Sequence, residues 1–248
     1  IIMSKLEIIQ FITIFIFISC SKDEVLLDSD LYLNSLMEEY YNFKITKDST
    51  YQFLSNKVLF DESSEKDSVT GIISLKNDTI YLKANKVNEN FQFDKAIIKN
   101  GFIEFMHDSR CCIQKYRLLH SQFKEKVTID FSNYPKYAVF PYLSNKENEI
   151  PYDLDQNDIQ AIDFLLQKEM QSNTELRDYK DYLIQLSSYQ DIRKEIMVIA
   201  HLLCENFTRD ERFKYQEISI KDGGDCNVYI KINLTKKEIK EVIIAGEV

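Results

Sequence analysis

The dipeptide Asn100-Gly101, set between β-rich runs at 91–98 and 102–106, constrains the fold of this chain more than any other feature. A two-residue type I′ turn needs positive φ at both central residues, and Asn-Gly supplies that at little steric cost. Similar punctuation recurs along the first half. Residues 43–46 meet 50–53 across Lys47-Asp48-Ser49, and 69–75 meet 79–84 across Lys76-Asn77-Asp78. Further strands are expected at 113–119 and 127–131, a polar loop at 62–67, and a short helix through Leu31, Leu36 and Tyr40. Many short strands joined by tight turns predict an antiparallel barrel or sandwich.

Pro135, Pro141 and Pro151 cluster around the polar run 144–149, which marks a boundary between two units. Beyond it a helix opens, with Asp155 placed to cap it and Asp158 in its first turn. Ile159, Ile162, Leu165, Leu166 and Met170 recur at helical spacing. Strands follow at 182–186 and 195–200, while the run 194–204 is compatible with strand or helix. A hairpin is expected between 215–220 and 228–234 around Lys221-Asp222-Gly223-Gly224-Asp225, with 239–245 closing the sheet. The expected class is therefore α+β and β-rich. An N-terminal antiparallel barrel- or sandwich-like module precedes a helix-plus-antiparallel-sheet module in the cystatin- or NTF2-like order.

The first two dozen residues carry a different signal. Lys5 precedes an apolar run from Ile8 to Ile18, followed by the small residue Ser19 and then Cys20, with Met3 as the expected start. Charge, apolar run and small residue, in that order, describe a cleavable export signal, and the run is too short to cross a bilayer. This stretch resembles the signal of bacterial lipoproteins. Ser21-Lys22-Asp23-Glu24 is similar to the short lysine–acidic export signal of Bacteroidetes-type surface lipoproteins. The resemblance implies cleavage, acylation of Cys20, and the lipid bilayer as a partner. It also implies an outer-membrane location facing the cell surface, the alternative being the periplasm. The expected organisation is a signal peptide at 1–19, a lipidated tether at 20–30, an antiparallel β module at 31–134, a linker at 135–151 and an α+β module at 152–248.

Two further resemblances cover the body of the chain. Residues 41–119 are similar to lipocalin-like lipoprotein domains through Val69-Thr70-Gly71-Ile72-Ile73 and the hairpin after it. Residues 152–248 resemble an uncharacterised Bacteroidetes lipoprotein family. That likeness rests on Asp222-Gly223-Gly224-Asp225-Cys226, Lys231-Ile232-Asn233-Leu234-Thr235 and Gly246, with Phe213 or Tyr215 where the family carries an upstream aromatic residue. It brings no activity with it.

Net charge is −9, and Lys5 and Glu7 cancel, so the acidity belongs to the part after the signal. An acidic chain is a poor partner for nucleic acid or for an anionic lipid surface. The 15 tyrosines accompany abundant Ile, Lys, Asn and Phe and no Trp, a compositional bias that reads as core and sheet surface rather than as a binding platform.

No catalytic, cofactor or metal motif emerges. Asp153-x-Asp155-x-Asn157 opens like an EF-hand, but Asp158 stands where the turn needs Gly and Phe164 where a bidentate Glu should close the site. Asp222 and Asp225 bracket glycines that a turn requires. His107, Asp108 and the adjacent Cys111-Cys112 lack zinc spacing. Cys204 with His201, or Cys112 with His120, lacks an accompanying oxyanion loop, and His201 shares a face with Cys204 only in a helix. Glu38-Glu39 and Asp61-Glu62 read as solvated charge. Cys204 and Cys226 can form a disulfide if their strands are neighbours; free buried thiols are the alternative. The expected function is a membrane-anchored module that binds another protein. The alternatives are an immunity or inhibitor lipoprotein against a secreted toxin or protease, and a small hydrolase or ligand-binding NTF2-like domain.

Overall fold

The computed structural model describes residues 24–34, 38–58, 64–86, 91, 93–106, 114–142, 148–205, 211–220 and 222–246. Eight antiparallel strands close a barrel in sequence order: β1 (Val25–Asn34), β2 (Glu38–Thr46), β3 (Thr50–Val58), β4 (Ser64–Lys76), β5 (Thr79–Ala84), β6 (Lys95–Lys99), β7 (Phe102–Met106) and β8 (Gln114–Ser121). The seam is β1 against β8, where Asp30 faces Arg117 and the two form a bidentate ion pair at 3.1 and 3.0 Å. Alternation sends Tyr41, Phe43 and Ile45 of β2, and Tyr51 and Phe53 of β3, inward. An eight-stranded barrel is just wide enough to be filled by side chains, and here aromatic rings fill it. Phe43 meets Phe105 edge-on at 5.0 Å, Phe105 meets Tyr116 at 4.9 Å, and Phe91 lies 4.5 Å from Phe53.

Turn chemistry matches the sequence. Asn77 and Asp78, then Asn100 and Gly101, all take positive φ as two-residue hairpin turns demand. Elsewhere the barrel corrects the sequence reading. The helix expected through Leu31 to Tyr40 is replaced by β1 and β2, and the barrel starts at Val25, inside the stretch assigned to the tether. The inward positions Leu27 and Leu31 are separated by Ser29, which is buried because its hydroxyl donates to Phe43 O, so the alternation of β1 is masked. Residues 64–67 of the expected polar loop belong to β4, where Glu65, Lys66 and Asp67 pair with the equally polar Lys57, Asn56 and Ser55 of β3 rather than cover the core. No strand forms at 127–131. There the Asn100 side chain accepts from the backbone of Thr128 and Ile129, and a 3-10 turn follows at Phe131–Asn133.

The second unit is a six-stranded sheet with one face under a helix. Strands β9 (Tyr137–Pro141) and β10 (Ile150–Pro151) share one edge of β11 (Tyr182–Gln190), followed by β12 (Ile196–Cys204), β13 (Gly224–Asn233) and β14 (Glu238–Ala245). The expected linker thus supplies two edge strands, and β9 runs parallel to β11 in an otherwise antiparallel sheet. The run 194–204 is strand from Ile196 onward. Helix α1 (Gln156–Ser172) begins with a complete capping box between Asp155 and Asp158, and Ile159, Ile162, Leu166 and Met170 bury against the sheet. Among the described residues no helix is long and apolar enough to cross a membrane.

The expected strand at 215–220 is absent. Gln185 takes its place as the organiser: its amide donates to Phe213 O and Gln216 O, both at 2.7 Å, and its carbonyl accepts from Ile218 N. The segment is thereby strapped across the sheet face opposite α1, and the hairpin forms instead between β13 and β14.

Candidate functional site

Among the described residues, the joint between the two units holds the most unusual chemistry. Strands β7 and β8 alternate, so Ile103, Phe105 and Tyr116 enter the barrel while Glu104 and Lys115 point outward as cross-strand partners. An outward position on a barrel ordinarily meets water. Here β9 and the 213–217 strap cover it. Lys115 Nζ sits 2.8 Å from Glu104 Oε1, donates to Val139 O, and lies 4.6 Å from the centre of the Phe140 ring. The two side chains are only 5% and 4% exposed.

Burial lowers the affinity of Lys115 for its proton, with Glu104 opposing that effect. Burial raises Glu217 nearby, and Lys115 opposes it. Glu104 Oε2 has no hydrogen-bond partner among the described residues. A cavity of about 200 Å³ adjoins the pair, walled by Phe102, Lys115, Phe131, Pro135, Tyr137 and Val139. The ammonium is engaged by a carboxylate, a carbonyl and a ring face at once, so the group fastens the two units instead of offering a free nucleophile. Asp153 adds two more ties, to Lys99 at 2.8 Å and to Lys126, and the Lys115 backbone N–H donates to Tyr215 O. Sequence reasoning missed this site because an outward Glu and Lys on neighbouring strands look like an ordinary solvated pair.

The residues singled out from sequence fall elsewhere. Cys20, Ser21, Lys22 and Asp23 lie outside the described residues, as do His107, Asp108, Cys111, Cys112, Asp61 and Glu62. Glu24 is held at one end of the barrel. Its carbonyl accepts from Lys47 N at 3.0 Å, and its carboxylate meets Lys47 Nζ at 2.8 Å and Gln122 Nε2 at 3.4 Å. The Lys47 contact holds that carboxyl below its usual range.

Cys204 and Cys226 lie on the neighbouring strands β12 and β13 and form a disulfide. His201 is on the opposite face of β12 from Cys204. Its ring stacks on Tyr229 at 4.1 Å, and its Nε2 bonds Asn227 Oδ1 at 2.7 Å. Asn227 Nδ2 already donates to Ile220 O and Asp222 O, so its oxygen is the acceptor and His201 carries its proton on Nε2. The histidine is a structural clasp, and His201 and Cys204 form no nucleophile pair.

Asp153 and Asp155 diverge, one to lysines and one to the helix cap. Asp225 pairs with Arg177 in a fork, and Asp222 accepts from Gly223 N. Glu39 accepts from the Tyr41 hydroxyl. No group of three metal-ligating side chains occurs among the described residues. No protein-family model matches the chain, and no curated protein or solved structure matches it either.

Proposed function

We propose that the chain is a bacterial lipoprotein, anchored in the outer membrane by acylated Cys20 and exposed at the cell surface, that binds another protein through its outer faces. The observation that carries this reading is the ordered sequence Lys5, apolar run 8–18, Ser19, Cys20. Two features of the fold support it. Glu24 sits exposed at the barrel rim, so a chain continuing back to Cys20 leaves from the surface and not from the core. The interiors of both units are filled, one by aromatic rings and one by aliphatic side chains, which leaves the outside for recognition.

The test is expression of the whole chain in a bacterial host. Wild type is expected in the membrane fraction, with the mass of a triacylated or diacylated N-terminal cysteine. Cys20→Ala is expected as an unprocessed, unacylated species. A mass difference that is only that of the Cys20→Ala exchange, with the same partitioning of the two proteins, would rule the reading out.

A further inference from the structure

An acylated Cys20 ties the barrel closely to the bilayer, and the docking surface argued from it depends on that proposed anchor. Four residue steps lead from Cys20 to Glu24. An extended chain spans at most about 3.6 Å per residue, so the leash is no longer than about 14 Å. Its protein end is fixed, because Glu24 is bonded through both backbone and side chain to Lys47 and through its carboxylate to Gln122.

The topology then specifies which end of the barrel lies nearest the anchor. The start of β1, the turns 47–49, 77–78 and 100–101, and the end of β8 all lie at the Glu24 end. The strand ends Asn34, Val58, Ala84 and Met106 lie at the other. On the near end stand Lys47, Lys76, Lys99, Lys124 and Lys126 against Glu24, Asp48, Asp78, Glu125 and Asp153, so charge among these residues balances although the whole chain carries −9. An acidic surface is repelled by anionic headgroups, and this end escapes that penalty. Leu75 at the tip of the β4–β5 hairpin and Val127 beside the end of β6 are 55% and 68% exposed, apolar groups open to solvent. A groove of about 420 Å³ lies at this end, with Asp78, Lys124, Glu125 and Lys126 in its walls.

We infer that this end of the barrel is a docking surface for the phospholipid headgroup layer in which the Cys20 acyl chains are inserted. Leu75 and Val127 dip into the interface, and the paired charges face the headgroups, zwitterionic or anionic, without net repulsion. The short leash enforces the contact, so little intrinsic affinity is required. The opposite barrel end then faces away from the membrane.

The chain contains no tryptophan, so a single introduced one is a clean reporter. Leu75→Trp, Val127→Trp and Tyr32→Trp are each made in the full acylated protein and reconstituted in phosphatidylethanolamine–phosphatidylglycerol vesicles carrying acyl chains brominated near the headgroup. Tyr32 is 51% exposed and lies seven residues along β1 from Val25, about 23 Å at strand rise. Emission from the Leu75→Trp and Val127→Trp variants is expected to be lost to bromine quenching, while emission from Tyr32→Trp is kept. Equal quenching in all three variants overturns the orientation. Acylated protein that sediments with vesicles but shows no quenching in Leu75→Trp or Val127→Trp overturns the docking and leaves the anchor standing. Protein that is never acylated and stays in the supernatant removes both. A normal far-ultraviolet circular dichroism spectrum for each variant, and agreement between the two near-end positions, guards against a misfolded reporter.

Discussion

Glu104 and Lys115 are cross-strand partners on the outer wall of the barrel, in ion contact at 2.8 Å, yet both are as buried as core residues because the second unit lies on top of them. Removing one member of a buried pair strands the other charge, at a cost of about 3–5 kcal/mol, whereas replacing both by apolar groups of similar volume is close to neutral. Lys115→Met is therefore expected to lower the denaturant midpoint sharply, and Lys115→Met combined with Glu104→Leu to recover most of the loss. Equal destabilisation of single and double variants would contradict the assignment of the pair as a fastening.

Inside the barrel, Gly71 of β4 faces Tyr51 of β3. A Cβ at position 71 would lie 2.2 Å from Lys83 O and 2.5 Å from the Tyr51 ring. Backbone cannot yield as a flexible side chain does, so Gly71→Ala is expected to cost about 1–3 kcal/mol as overpacking. The Tyr51 hydroxyl is buried without a hydrogen-bond partner among the described residues, and burial pushes its pKa up to about 12. Tyr51→Phe is expected to be neutral or mildly stabilising, since it deletes an unpaired polar atom. Urea unfolding of both variants checks the contrast.

The disulfide closes a loop with a sequence separation of 22. Loop-closure entropy for that length corresponds to about 3 kcal/mol. Cys204→Ala with Cys226→Ala is expected to fold less stably than oxidised wild type by about that amount, and its midpoint should not respond to reductant. The wild-type midpoint should fall on reduction toward that of the variant.

His201 gives the molecule a pH signature. Burial holds its pKa below the ordinary 6.5, and the Asn227 bond works against that shift. The unfolded chain therefore binds this proton more readily than the fold does. The stability contribution is complete above pH 6.5 and declines as pH falls toward the lower folded-state value, by no more than about 1.4 kcal/mol per pH unit. Glu217, raised by burial, shifts stability with pH in the opposite direction, so the comparison must be differential. His201→Gln should flatten the fall in stability between pH 7 and 5.5 relative to wild type, measured by chemical denaturation.

The barrel was legible in the sequence because its turns are chemically explicit: Asn77-Asp78 and Asn100-Gly101 announce positive φ at the positions where it occurs. The helix was legible through Asp155 and the spacing of Ile159, Ile162, Leu166 and Met170. The strand at Val25–Asn34 and the strap at 213–218 were not. The inward Ser29 hides the alternation of the first, and the second owes its conformation to a partner far away in sequence, Gln185, which captures its backbone. The joint at Lys115 was invisible for the same reason, since nothing local says that a charged outward position will be covered.

The seam of the barrel gives β1 a mechanical role. This strand hydrogen-bonds to β2 on one side and β8 on the other, and it is the first described element after Glu24. A pull on the N-terminus away from the body would run along the axis of β1, and both of its ladders would be loaded in shear. Bonds loaded in shear carry the force together, whereas bonds at a peeled edge break one after another. Tension from the N-terminal side would thus fall on the part of the barrel best arranged to resist it.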